Sequence, residues 1–182
     1  MSFGYFQKFA EVNEFAPDLV KVRRFTGGGI VSHLNDWTYS LVLPPNTDWY
    51  RYRAKESYRK LHTWIRNTFA TFQLETALNP QKIHEGPGRC FIGAEEDDVI
   101  VDGTKLAGAA QRRNKTGFLI QGSIQPPPPS IVRSEWETRL CEVATRDWGV
   151  QWKGWQAATD LTAQASALAT AKYADTGYTQ RR

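Results

Sequence analysis

Between Val99 and Ile124 two turn signals are set among β-rich runs, and their spacing dictates an antiparallel meander. Val99-Ile100-Val101 is a short β-branched run. Asp102-Gly103 follows it as a strong two-residue hairpin signal, and Leu106 to Ala110 reads as the returning strand. A second bend at Asn114 to Gly117 sends the chain into Phe118 to Ile124, which the four prolines Pro126 to Pro129 stop, forming an extended spacer.

Around this meander the periodicity changes twice. Met1 to Phe6 reads as a strand, followed by a loop through Asn13 and Pro17, and Leu19 to Phe25 reads as a second strand. Thr26-Gly27-Gly28-Gly29 breaks it; Ile30-Val31 and Trp37 to Leu43 resume it until Pro44-Pro45, which predicts hairpin-like β structure around a glycine bend. From Arg51 to Phe72 the apolar residues Tyr58, Leu61, Ile65, Phe69 and Phe72 recur at helical spacing, with Arg and Lys on the other face. Pro80 to Gly88 reads as a loop. Ile131 to Trp148 predicts a second helix carrying Trp136, Leu140, Val143 and Ala144, with Ser134 as cap and Glu137 three residues on. Thr159 to Tyr173 is Ala-rich and predicts a third helix that Gly177 ends. Strands in the middle with helices between and after them give an α+β fold, and 182 residues suit a single domain over 1–182.

Composition excludes several classes of function. No apolar stretch approaches the roughly 20 residues of a membrane span, and no charged-then-apolar leader opens the chain. The two cysteines, Cys90 and Cys141, cannot form a disulfide framework, so a cytoplasmic location is expected; Cys141, on a helical stripe beside Leu140 and Val143, reads as core. The net charge of +4 is a mild bias toward anionic partners, and Arg112, Arg113 and Lys115 cluster at one hairpin tip. That pattern suits docking of acidic proteins and does not track a nucleic-acid backbone, so no nucleic acid is expected. His33, His62 and His84 with two distant cysteines show no metal-ligand spacing; His62, on the first helix, reads as a surface or boundary residue.

Two stretches can carry chemistry. In Arg23-Arg24-Phe25-Thr26-Gly27-Gly28-Gly29-Ile30-Val31-Ser32-His33, three glycines remove every Cβ from a bend, so a ligand can lie against bare backbone beside flanking arginines. Taken alone the stretch reads as a glycine-rich turn, and it matches neither a Walker A loop nor Gly-x-Gly-x-x-Gly. In Asp102 to Arg113, Lys105 stands just after a tight turn at the head of a run of small residues, where it could bind a carbonyl or an anion, or simply be an exposed hairpin lysine.

Together the two stretches, Arg-Arg-x-Thr-Gly-Gly-Gly-x-Val-x-His and Asp-Gly-x-Lys-Leu-Ala-Gly-x-Ala-Gln-Arg-Arg, resemble the biotin/lipoate protein ligase and transferase family. Gly4-Tyr5-Phe6-Gln7 is similar to its Gly-x-x-Gln strand, and Gln121-Gly122-Ser123 to its later substrate-lining strand. The resemblance implies a mixed β-sheet flanked by helices, a tunnel for a medium-length acyl chain, and attachment of octanoyl or lipoyl groups to a lysine of a lipoyl domain. It implies substrate-binding roles for Arg24, Thr26, Gly27, Gly28, Gly29, His33, Gly108, Ala109, Ala110, Gln111 and Gly122, with Lys105 contacting the acyl carbonyl. The family has a further strand and helix before the Gly-x-x-Gln strand, so a shortened N-terminus is expected.

Two chemistries share that fold. A ligase activates a free acid with ATP and Mg, whereas a transferase takes acyl from acyl carrier protein and needs a nucleophile and no cofactor. Cys90-Phe91 precedes Lys105 at the place where the cysteine-dependent octanoyltransferase branch has its Cys-Phe pair. The resemblance therefore implies catalytic roles for Cys90 and Lys105. His84 and His33 are candidate bases for Cys90 or the incoming amine. Expected partners are octanoyl-acyl carrier protein and lipoyl domains, such as glycine cleavage H protein or the E2 component of dehydrogenases. An ATP-dependent ligase, with Cys90 incidental, and a noncatalytic acyl-binding protein are the alternatives.

Overall fold

Asp102 and Gly103 both adopt positive φ, 48° and 76°, which is the turn that a two-residue antiparallel hairpin requires. The computed structural model describes residues 1–81 and 93–181. The hairpin joins β5 (Val99–Val101) to β6 (Thr104–Asn114), and a second turn joins β6 to β7 (Gly117–Ile124). In that second turn the Asn114 Oδ1 accepts from Thr116 N at 3.0 Å and Gly117 N at 3.1 Å, the side chain replacing a backbone partner. Outer strands β3 (Trp37–Leu43) and β4 (Ala77–Leu78) complete a five-stranded sheet of order β3-β7-β6-β5-β4, antiparallel throughout.

Alternation gives the sheet two unlike faces. One carries Phe118, Ile120 and Ile124 against α3 (Ala54–Ala70), which follows the one-turn α2 (Asp48–Arg51), and against α4 (Arg133–Trp148). These helices contribute Leu61, Trp64, Ile65, Phe69, Trp136 and Val143 to the core, each buried side chain stabilising by about 1.5–3 kcal/mol. Trp64 also donates its indole N–H to Leu140 O at 2.7 Å, which ties the two helices together. The other face meets a smaller layer built on β1 (Ser2–Phe3) and β2 (Val22–Arg23), with α1 (Phe9–Phe15) between them in the chain. The fold is thus α+β, its strands divided between an antiparallel sheet and a parallel pair, β1 with β2.

Several local expectations differ. The first two strands are shorter than predicted, α1 occupies part of the expected loop through Asn13, and the chain does not form a hairpin about the glycines. Strand β2 runs parallel to β1, Val31 bridges Ser2 from the other side, and β3 lies in the larger sheet, while the glycine loop between them is tied to Arg24 through Gly27 O and Gly29 O. Helix α4 is capped at Val132 without a side-chain cap, so Ser134 lies inside it. Gly177 does not end the third helix: α5 (Thr159–Leu168) passes into a π-turn, and Gly177 sits within α6 (Thr176–Gln180). Most of the loop expected over Pro80 to Gly88 lies outside the described residues.

Arg23, fully buried, joins the two ends of the chain. Its guanidinium donates to Tyr5 O at 2.9 Å, Gln7 O at 2.7 Å and Thr179 O at 2.9 Å, so α6 is held against the first strand pair. Among the described residues no helix is long and apolar enough to cross a membrane.

Candidate functional site

The non-helical face of the large sheet is lined by small and polar side chains. Register places Thr38, Ser123 and Gly108 in one cross-strand row and Ser40, Gln121 and Ala110 in the next. Above these rows lies a cavity of about 470 Å³, walled by Ser2, Arg24, Val31 and His33 of the smaller layer. Short side chains on the floor leave the room that the layers enclose.

Lys105 enters this cavity because of a bulge. Val101 faces Thr104 and Ile100 faces Lys105, but Val99 faces Ala107, so Leu106 is the extra residue. Leu106 and Ala107 consequently both point into the core, and Lys105 falls on the same face as Gly108. Its ammonium lies 2.7 Å from Asp98 Oδ2, with only 7% and 6% of the two side chains exposed. A Cβ on Gly108 would stand 2.5 Å from Lys105 Cε and 2.7 Å from Nζ, so the missing side chain is the slot the lysine occupies. Asp98 Oδ2 also accepts from Glu95 N at 2.8 Å, which fixes the carboxylate independently of the lysine. Lys105 is thus a buried, paired cation.

Arg24 forms the opposite wall. One terminal nitrogen donates to Ser2 Oγ at 2.8 Å, the other to Gly27 O at 3.0 Å and Gly29 O at 2.8 Å. The triple-glycine loop therefore offers this arginine its carbonyls. Gly28 O packs so closely on Gly4 that a Cβ there would lie 1.9 Å away, which explains the glycine that opens Gly-x-x-Gln. His33 faces Ser2 Oγ through Nε2 at 2.7 Å and Asp36 Oδ2 through Nδ1 at 2.8 Å; Ser123 Oγ donates to the same carboxylate oxygen at 2.7 Å.

Of the residues expected to meet substrate, Arg24, His33, Lys105, Gly108 and Ala110 line the cavity, and Ala109 and Gly122 border it although strand alternation directs them to the helical face. Thr26 does not: it is fully buried and its hydroxyl donates to Gln121 Oε1 at 3.2 Å. Gly27, Gly28 and Gly29 do not line it either; their part is the close packing on Gly4 and the bonds to Arg24. Gln111 belongs to the helical face, where its amide donates to Ala54 O at 3.1 Å, because strand alternation turns it away from Ala110. Cys90 and His84 lie outside the described residues.

Ser2, Asp36, Asp98 and Ser123 are the site residues that sequence reasoning missed. Asp36 carried a signal, three residues after His33; Asp98 carried one in the acidic run just before the hairpin.

A second polar group lies on the helical side. His62 is buried, contrary to its expected boundary position, with Nδ1 2.7 Å from Asp97 O and Nε2 without a partner. Burial holds its pKa below the ordinary value, against opposing pulls from Asp98 and Asp97. The Tyr39 hydroxyl likewise has no partner, and burial, with Asp98 and Tyr58 adding, pushes its ionisation far up. Cys141 is half-exposed on α4 and not core, and burial with Glu137 and Glu142 nearby raises its thiol pKa. Among the described residues no group of three or more His, Cys, Asp or Glu is placed to hold a metal ion.

A family profile described as the lipoyl protein ligase A/B catalytic domain matches residues 1–125. The chain is 34% identical over 117 residues to octanoyltransferase LipM of Exiguobacterium sp., covering 60% of this chain and 42% of that protein. It is 31% identical over 138 residues to octanoyltransferase LipM of Staphylococcus aureus, covering 68% and 49%. The chain therefore spans less than half the length of these curated relatives. Among solved structures, a putative lipoate protein ligase from T. acidophilum with bound lipoic acid superposes with a TM-score of 0.76 at 16% identity, covering 100% of this chain and 81% of that one. A lipoate-protein ligase A bound with ATP superposes with a TM-score of 0.75 at 16% identity, covering 98% and 81%. These two likenesses establish a shared fold.

Proposed function

The chain belongs to the lipoyl protein ligase A/B catalytic-domain family, and from that premise we propose that it is an acyltransferase of protein lipoylation. It takes an octanoyl or lipoyl group from acyl carrier protein onto Cys90 as a thioester and passes it to a lysine amine of a lipoyl domain. Similarity to octanoyltransferases favours this chemistry over ATP-dependent ligation, and Cys90 supplies the nucleophile that transfer demands.

The observation that carries the reading is the Lys105 ammonium, held by Asp98 on the lining of this cavity. A fixed cation stabilises negative charge developing on an acyl carbonyl oxygen without having to reorganise. Gly108 and Ala110 leave a floor flat enough for an acyl chain to lie along the sheet. Exchange of one thioester for another is nearly balanced in free energy, and formation of the amide draws the sequence forward.

Intact-mass analysis after incubation with octanoyl-acyl carrier protein tests this. One octanoyl group is expected on the wild-type chain and on Cys141→Ala, none on Cys90→Ser, and the group should move to a lipoyl domain without ATP. A strict requirement for ATP and Mg would overturn transfer in favour of ligation. The lipoyl domain is the acceptor because a protein of the same fold is the bipartite lipoate protein ligase of Thermoplasma acidophilum, described with its E2 lipoyl domain as an archaeal lipoylation system.

A further inference from the structure

We propose that Ser2, His33 and Asp36 form a proton relay that deprotonates the attacking amine, a role that rests on the acyl-transfer reading above. The three side chains make one continuous path along the cavity wall: Asp36 Oδ2 to His33 Nδ1 at 2.8 Å, and His33 Nε2 to Ser2 Oγ at 2.7 Å. All three line the same cavity as Lys105.

Donor and acceptor chemistry sets the direction. An ionised carboxylate only accepts, so the proton between Asp36 and His33 lies on Nδ1, which leaves Nε2 of the neutral ring as an acceptor. Ser2 must then donate its hydroxyl proton to Nε2. The Arg24 guanidinium, which has no acceptor, donates to the same Ser2 oxygen at 2.8 Å and stabilises negative charge there as the proton leaves. Ser123 donates to Asp36 Oδ2 from the sheet floor at 2.7 Å, so the carboxylate that orients the imidazole is itself anchored. A purely structural contact between the layers would not need an imidazole and a guanidinium meeting on one hydroxyl with a carboxylate behind the imidazole.

In the acceptor step the neutral amine forms the N–C bond to the thioester carbonyl carbon. The C–S bond breaks with its electron pair going to sulfur. The excess amine proton passes to Ser2 Oγ as the Ser2 proton passes to His33 Nε2. The products are an amide, a thiolate and an imidazolium facing Asp36, and the imidazolium then returns its proton to the thiolate or to water. Formation of the enzyme-bound thioester from a thioester donor releases no amine proton and does not need the relay.

The test separates those two half-reactions in Asp36→Asn and Ser2→Ala, using octanoyl-acyl carrier protein as donor and an isolated lipoyl domain as acceptor. In each variant, transfer to the lipoyl domain is expected to slow by about 100-fold or more beyond any change in its own rate of octanoyl uptake. Equal slowing of both half-reactions, or no slowing of transfer in either variant, would overturn the relay. So would octanoyl recovered as an ester on Ser2. A wild-type chain that neither takes up nor transfers the group defeats the acyltransferase reading itself, a result distinct from any failure of the relay.

Discussion

Lys105 Nζ and Asp98 Oδ2 are 2.7 Å apart with both side chains more than nine-tenths buried, so the ammonium is paired inside the protein. Removing one partner leaves the other charge buried and alone. Lys105→Ala is therefore expected to lose activity and also about 3–5 kcal/mol of stability, read from urea unfolding. Joint replacement, Lys105→Met with Asp98→Leu, should recover most of that stability with no recovery of activity. A Lys105→Ala chain as stable as the wild type would show that the pair does not hold in solution.

Gly108→Ala puts a methyl group where the lysine lies. It meets Lys105 Cε and Nζ, the flexible end of a side chain, and comes to 3.0 Å from Asp98 Oδ1, so stability should fall by about 1 kcal/mol while the ammonium shifts. Displacing a catalytic group by about 1 Å can cost about 100-fold in rate. The expected signature is a large fall in transfer with a nearly unchanged unfolding midpoint.

On the helical face Gly122 lies under the Tyr39 ring, and a Cβ there would stand 2.1 Å from Tyr39 Cζ. A packed ring cannot yield as a lysine tip does, so Gly122→Ala should cost about 1–3 kcal/mol. Tyr39→Phe removes a buried hydroxyl that has no partner and should leave stability equal or raise it by about 1 kcal/mol. Denaturant titration of the two variants checks both signs.

His62 links stability to pH. Its folded pKa lies below the ordinary 6.5 because burial disfavours the charged ring. As pH falls through 6.5 the unfolded chain binds a proton that the folded chain refuses, so stability drops from there down to the folded pKa and then levels. His62→Asn keeps a donor toward Asp97 O but cannot titrate, and it should flatten that part of the slope. Thermal unfolding at about pH 7 and about pH 5 reads the difference; an unchanged slope would remove His62 as its cause.

The meander, the two core helices and the motif at Lys105 were legible in the sequence because each rests on local chemistry. Asp102-Gly103 can form a tight antiparallel turn whatever surrounds it, and residues three and four apart on α3 share a face in any context. What the sequence could not determine was which face of β6 each residue takes, since one extra residue at Leu106 reverses the alternation and turns Lys105 toward the cavity. The ion pair with Asp98, the packing of Gly28 on Gly4 and the path from Asp36 to Ser2 were likewise decided only by the fold. Each joins groups whose separation depends on how the two layers close on each other, and charge or hydrogen-bonding capacity in a sequence does not say what will stand opposite it.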